Sequence, residues 1–186
     1  MTEAERLTHN QSMLLRLDEH ESTGLFRSKV EQLLLSLSVY MPAIIHKDVF
    51  RSEAEQLQKY LKGVSQVKWG FHCFTREGKM ASLAADIVSA DYNYFDDKQF
   101  ILTDSDEIFW LLVGSFALDN GLSWGGFFGL EKGEVGIIRR MFESNSFQKI
   151  EDFAFEVKNG RKRLGWDVAH VQVSNLTIEQ AYTIKS

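Results

Sequence analysis

The sequence predicts an α+β fold: a small, mainly antiparallel sheet with helices packed on it. Three observations carry this reading. Two stretches repeat apolar residues every three to four positions, as a helix with a buried face does. The first holds Val30, Leu33, Leu34 and Leu37, and the second Ile108, Leu111, Leu112 and Phe116. Runs near 43–50, 84–88, 124–127 and 166–173 are shorter, apolar and of strand length. The chain has 186 residues, 44% hydrophobic and 25% charged, which suits one soluble globular domain with a proper core.

Residues 1–24 are polar and weakly periodic, and read as a loose helix or arm ending at Gly24. Phe26 to Tyr40 is a helix, stopped by Pro42, the only proline. Ala43 to Phe50 follows as a strand. Ser52 and Glu55 form a capping box for a helix running to Leu61 and closing at Gly63. Val67 to Phe74 is a strand or extended loop, and Arg76 to Lys79 a charged turn containing Gly78. Ser82 to Val88 is a short apolar strand interrupted by Asp86. Asp91 to Gln99 is a polar, aromatic loop. The helix over 105–120 closes at Asn120-Gly121, as helix C-termini do. Leu122 to Phe128 turns into a strand. Residues 129–164 are a long excursion, with a helix over Glu134–Ser144 and a strand-like Phe153–Lys158 turning at Asn159-Gly160. Gly165 to Val173 is the strand around which the chain is organised, and a short helix starts at Thr177. The arm (1–24) and one domain (25–186) are the expected organisation.

A net charge of −5 advertises no basic face for nucleic acid. The single cysteine, Cys73, excludes an internal disulfide and a Cys-rich zinc site, so a metal here must rely on His, Asp and Glu. No apolar run approaches the ~20 residues of a membrane span. The N-terminus, Met1 to Arg6, lacks the apolar core of a signal peptide. The expectation is therefore a protein that is cytoplasmic when made, or one whose leader has been removed.

Three residues of ligating type sit on or beside predicted strands: His72, Asp86 and His170. A carboxylate in a buried strand is costly unless it is paired or bound to a metal, which makes Asp86 informative. Two imidazoles and one carboxylate, with a fourth position open, is a catalytic zinc arrangement. Asp167 lies three residues before His170, where a carboxylate can take a proton from metal-activated water.

Four segments carry a resemblance to a known family. They are Phe50-Arg51-Ser52 with Gln56 and Leu61-Lys62-Gly63; Trp69-Gly70-Phe71-His72 followed by Leu83 to Val88; Asn120 to Gly126; and Gly165 to His170. In that order the chain resembles the zinc D-alanyl-D-alanine carboxypeptidases and L-alanyl-D-glutamate endopeptidases, a family that includes many phage endolysins. The resemblance implies a hedgehog/DD-peptidase-like fold. It implies Zn2+ held by His72, Asp86 and His170, Asp167 as general base, and Arg51 steadying the substrate carbonyl or the developing oxyanion. The implied substrate is the peptidoglycan stem peptide, met at the cell wall after release of the enzyme. The alternative is a non-catalytic descendant of the same fold, serving as a binding or structural protein. A third reading, an unrelated domain with chance matches, predicts that His72, Asp86 and His170 lie far apart.

The chain departs from the family pattern twice. His72 and Asp86 are fourteen positions apart, whereas the family places these ligands seven apart, and the seven-spaced position is Lys79. Lys79 in the ligand's place would break the site; an insertion over Cys73 to Met80 would keep His72. The second departure is the stretch from Phe128 to Leu164, expected to reshape the cleft. Among other candidates, His46 reads as structural, His9 and His20 as solvated, and Cys73 as a buried thiol. Arg76, Glu77 and Lys79 read as a solvated turn, Trp124 and Trp166 as core or cleft wall, and Arg161-Lys162-Arg163 as an exposed basic turn. Asp91 to Asp97 lacks the spaced ligand pattern of a calcium loop.

Overall fold

A computed structural model of the chain describes residues 1–19, 24–46, 49–76, 79–90, 106–177 and 180. In chain order its elements are α1 (Glu3–Ser12), α2 (Leu14–Glu19), α3 (Gly24–Ser38), β1 (Ala43–Ile45), α4 (Glu53–Leu61), β2 (Thr75–Arg76), β3 (Lys79–Met80) and β4 (Ala84–Ser89). There follow α5 (Asp106–Asp119), β5 (Leu122–Trp124), α6 (Lys132–Glu143), α7 (Phe147–Lys158) and β6 (His170–Val173). The fold is α+β, as predicted. One antiparallel sheet has the order β1-β4-β6-β5, and β2 and β3 form a separate hairpin.

Helices α3 and α5 pack on each other and on the sheet, and α7 packs on α5. The core between them is large and apolar, built on Phe26, Leu33, Leu34, Phe109, Leu111, Leu112 and Trp124. Because side chains alternate along a strand, β6 divides its residues. Val171 and Val173 are buried in this core, while His170 and Gln172 share the other face and line a cleft. The end of α5 is fixed as its sequence predicts. Gly121 takes a left-handed conformation (φ 64°), and Lys29 of α3 donates to the carbonyl of Asn120 at 2.8 Å.

Several elements differ from the sequence reading. The polar segment 1–19 is two helices held against α3 and β1. Asn10 is fully buried; its amide donates to the carbonyl of Leu34 (3.0 Å), and its oxygen accepts from the N–H of Ala43 (2.8 Å). His9, expected to be solvated, is half-buried with Nε2 3.1 Å from the carbonyl of Ala43. Phe153–Lys158 is not strand-like but the end of α7, which buries Ile150 and Ala154. The strand near 124–127 ends at Trp124, and Gly125–Phe127 form a 3-10 turn. The strand near 166–173 begins at His170, and that near 43–50 is Ala43–Ile45. His72 lies in a 3-10 turn, Phe71–Cys73, rather than an extended segment. His20, Glu77, Gly78, the 91–97 loop and most of the helix predicted from Thr177 lie outside the described residues.

Candidate metal centre

His72, Asp86 and His170 come together although they are distant in sequence. Asp86 on β4 is the direct cross-strand partner of His170 on β6, which sets their side chains on one face of the sheet. His72 reaches them because its turn is stitched to both neighbours. Leu83 N–H donates to the carbonyl of Phe71 (3.0 Å), and Arg51 N–H donates to the carbonyl of His72 (3.0 Å).

The fourteen-residue spacing has a structural cause. Phe74 and Ala81 are bonded at the neck of the β2–β3 hairpin, Ala81 N–H donating at 3.0 Å, and beyond them Thr75 pairs with Met80 and Arg76 with Lys79. The hairpin takes up the extra residues and leaves His72 opposite Asp86. Lys79 sits exposed on β3, away from the ligands. His72, and not Lys79, stands in the cluster with Asp86 and His170.

The three ligand atoms form a tight triangle. His72 Nε2 is 3.2 Å from His170 Nδ1, His170 Nδ1 is 3.2 Å from Asp86 Oδ1, and His72 Nε2 is 3.5 Å from Asp86 Oδ1. Ligands on one tetrahedral ion, with bonds of about 2.0–2.1 Å, stand about 3.3–3.4 Å apart. The triangle has that size, and both histidines are buried. Two imidazole nitrogens facing each other beside a carboxylate is a poor hydrogen-bond arrangement and a good ligand set for a divalent ion. The other ring nitrogens are occupied: His72 Nδ1 lies 2.8 Å from the carbonyl of Val49, and His170 Nε2 lies 2.8 Å from Gln172 Oε1. Such partners are what orient metal-bound histidines.

The charges of these groups are coupled. Burial would raise the carboxyl of Asp86, but the imidazoles of His72 and His170 outweigh it and hold Asp86 well below the usual carboxylate range. Burial would lower His170, but its bond to Asp86 and the negative charge of Asp86 and Asp167 raise it. Asp167 moves the opposite way from Asp86. Burial lifts its carboxyl above the ordinary value, His170 pulls it back, and the neighbouring Asp86 adds to the rise.

These groups line one cleft of about 390 Å3. Asp167 and Arg51 both face it, together with His46, Lys59, Gln172 and the rings of Trp69, Phe128 and Trp166. Arg51 is positioned by Gln56, which is 2% exposed. Gln56 Oε1 accepts from Arg51 Nη1 (2.7 Å), while its amide donates to the carbonyl of Val67 (2.6 Å) and to Ser65 Oγ (2.8 Å). Arg51 Nε is buried without a hydrogen-bond partner among the described residues.

Gly125 sets the position of Asp167. A Cβ at Gly125 would overlap the Asp167 carbonyl, and that carbonyl accepts from His170 N–H at 3.0 Å. Thus the Gly-Gly turn, Asp167 and His170 form one packed unit. None of residues 129–164 lines the cleft; only Phe128 and Trp166, flanking the excursion, do so. Phe128, the first residue of the stretch expected to reshape the cleft, thus lines it, while helices α6 and α7, which fill most of that stretch, do not.

The remaining candidates find plain places. Cys73 is buried, and burial pushes its thiol up, as for an inert structural cysteine. Trp124 is core, with Nε1 donating to the carbonyl of Val168 (2.7 Å), and Trp166 is half-exposed cleft wall. Arg161 and Arg163 are exposed and paired with Glu156 and Glu134. His46, read as structural, lines the cleft. Gln172 had no place in the sequence reading; its position two residues after His170, on the same strand face, was the available signal.

No protein-family model, curated protein or solved structure matches the chain. The likeness to the zinc peptidases is therefore carried by the four sequence segments, and the site by its own geometry. No helix among the described residues is long and apolar enough to cross a membrane.

Proposed function

We propose that the protein is a zinc metallopeptidase that hydrolyses stem-peptide bonds of peptidoglycan, of the L-alanyl-D-glutamate endopeptidase or D-alanyl-D-alanine carboxypeptidase type. The observation that carries the proposal is the His72–Asp86–His170 triangle, 3.2–3.5 Å on each edge, in one cleft with Asp167 and Arg51. His72 Nε2, His170 Nδ1 and Asp86 Oδ1 would hold the zinc. Zinc supplies Lewis acidity, making water nucleophilic near neutral pH and polarising the scissile carbonyl.

The chain's own groups do the rest. Asp167, with its carboxyl raised by burial, takes a proton from the attacking water and passes it to the leaving amine. Arg51, fixed by Gln56 at the cleft wall, steadies the oxyanion that develops on the carbonyl. The test is incubation of the zinc-loaded protein with purified peptidoglycan and with synthetic stem peptides, followed by mass spectrometry. New fragments cut at one of the two bonds support the proposal. Intact substrates throughout overturn it.

A further inference from the structure

We propose that Gln172 is a positioning residue that fixes which ring nitrogen of His170 is offered to the metal; the inference rests on the metal site proposed above. His170 and Gln172 occupy the same face of β6, and Gln172 Oε1 lies 2.8 Å from His170 Nε2. The other nitrogen, Nδ1, lies 3.2 Å from both Asp86 Oδ1 and His72 Nε2. A neutral imidazole carries one N–H and one lone pair. An amide oxygen opposite Nε2 accepts a hydrogen bond only when Nε2 carries the hydrogen. That leaves the Nδ1 lone pair aimed at the metal corner.

The reverse arrangement is chemically available. With the amide turned over, Gln172 would donate to Nε2, and the ring hydrogen would move to Nδ1. His170 would then give its hydrogen to Asp86, and the site would lose a ligand. On His72 the same task falls to the carbonyl of Val49, 2.8 Å from Nδ1. A backbone carbonyl is an acceptor only, so His72 needs no further control. His170 depends on a side chain that has both an acceptor and a donor, so the identity and orientation of residue 172 matter.

The test measures zinc affinity by competition with a chromophoric chelator for the wild-type chain, Gln172→Leu and Gln172→Glu. It adds nitrogen-15 NMR of the histidine rings in the zinc-loaded wild type. Gln172→Leu, which removes the acceptor, is expected to weaken zinc binding about 10–100-fold, as loss of such partners does. Gln172→Glu, which has an acceptor and no donor, is expected to restore wild-type affinity within a few-fold. The NMR spectrum is expected to show the His170 hydrogen on Nε2. Wild-type affinity in Gln172→Leu, an equal loss in Gln172→Glu, or a hydrogen on Nδ1 would overturn the inference while leaving the metal site standing. No zinc binding by the wild type would remove both.

Discussion

Asp86 and His170 face each other across the β4–β6 ladder, Oδ1 to Nδ1 at 3.2 Å, although 84 positions separate them in sequence. The relationship is set by backbone register, so the sheet itself builds two of the three corners of the candidate metal site. A one-residue slip would turn one of them to the opposite face. The third corner, His72, is held on a turn bonded to the start of β4 and to Arg51. This division explains how the chain tolerates a hairpin between His72 and Asp86 without losing the triangle.

Asp167 is argued to move protons and not to hold the metal. Asp167→Asn should therefore bind zinc like the wild type. It should lose peptidase activity about 10²–10⁴-fold, the range of a general base. Zinc stoichiometry and hydrolysis rates on one preparation of each protein check both halves. Loss of zinc with the activity would reassign Asp167 as a ligand.

Gly125 is a spacing residue. Gly125→Ala would press its methyl group into the backbone carbonyl of Asp167, which no side-chain rotation relieves. The variant should be destabilised by about 1–3 kcal/mol, as overpacked sites are. It should also lose activity, because the displaced carbonyl is bonded to His170 N–H. Denaturant unfolding and hydrolysis rates together test this.

Asn10 ties the N-terminal helices to the domain. Asn10→Ala leaves the N–H of Ala43 and the carbonyl of Leu34 without their buried partner. A cost of about 1–3 kcal/mol is expected. Hydrogen exchange should quicken at the Ala43 amide, where α1 meets β1. Unchanged protection there would show that the N-terminal helices are held by other contacts.

The Glu134–Arg163 pair gives a pH signature far from the cleft. The bidentate guanidinium of Arg163, at 2.8 Å, and the N–H of Glu131 lower the Glu134 carboxyl from 4.5 to about 2. A carboxyl lowered on folding contributes stability that is present above its unfolded value, near 4.5. That stability fades as pH falls towards about 2. NMR titration should place the Glu134 midpoint near 2, and Arg163→Ala should return it most of the way to the ordinary value. An ordinary midpoint in the wild type would mean the pair does not persist in water.

Much of this was legible in the sequence, for identifiable reasons. The capping box at Ser52 and Glu55 and the Asn120-Gly121 stop are local chemistry, and both stand where the residues put them. The helix α7 was obscured because Phe155-Glu-Val-Lys158 alternates apolar and polar residues like a strand; its helical face needs Ile150 with Ala154. The packing of α1 and α2 was hidden because it depends on one buried polar residue, Asn10, and periodicity counts only apolar ones. His72, Asp86 and His170 could be named from type and order. Gln172 could not, because its role is to contact another side chain, and nothing in the sequence marks that contact except a spacing of two.

The most direct test of the central claim is the zinc content of the purified chain by elemental analysis, measured beside His72→Ala. The account predicts about one zinc per wild-type chain and its loss in the variant, since His72 is one of the three proposed ligands. A wild-type chain that takes up no zinc when zinc is supplied, or a variant that keeps it, would contradict the account.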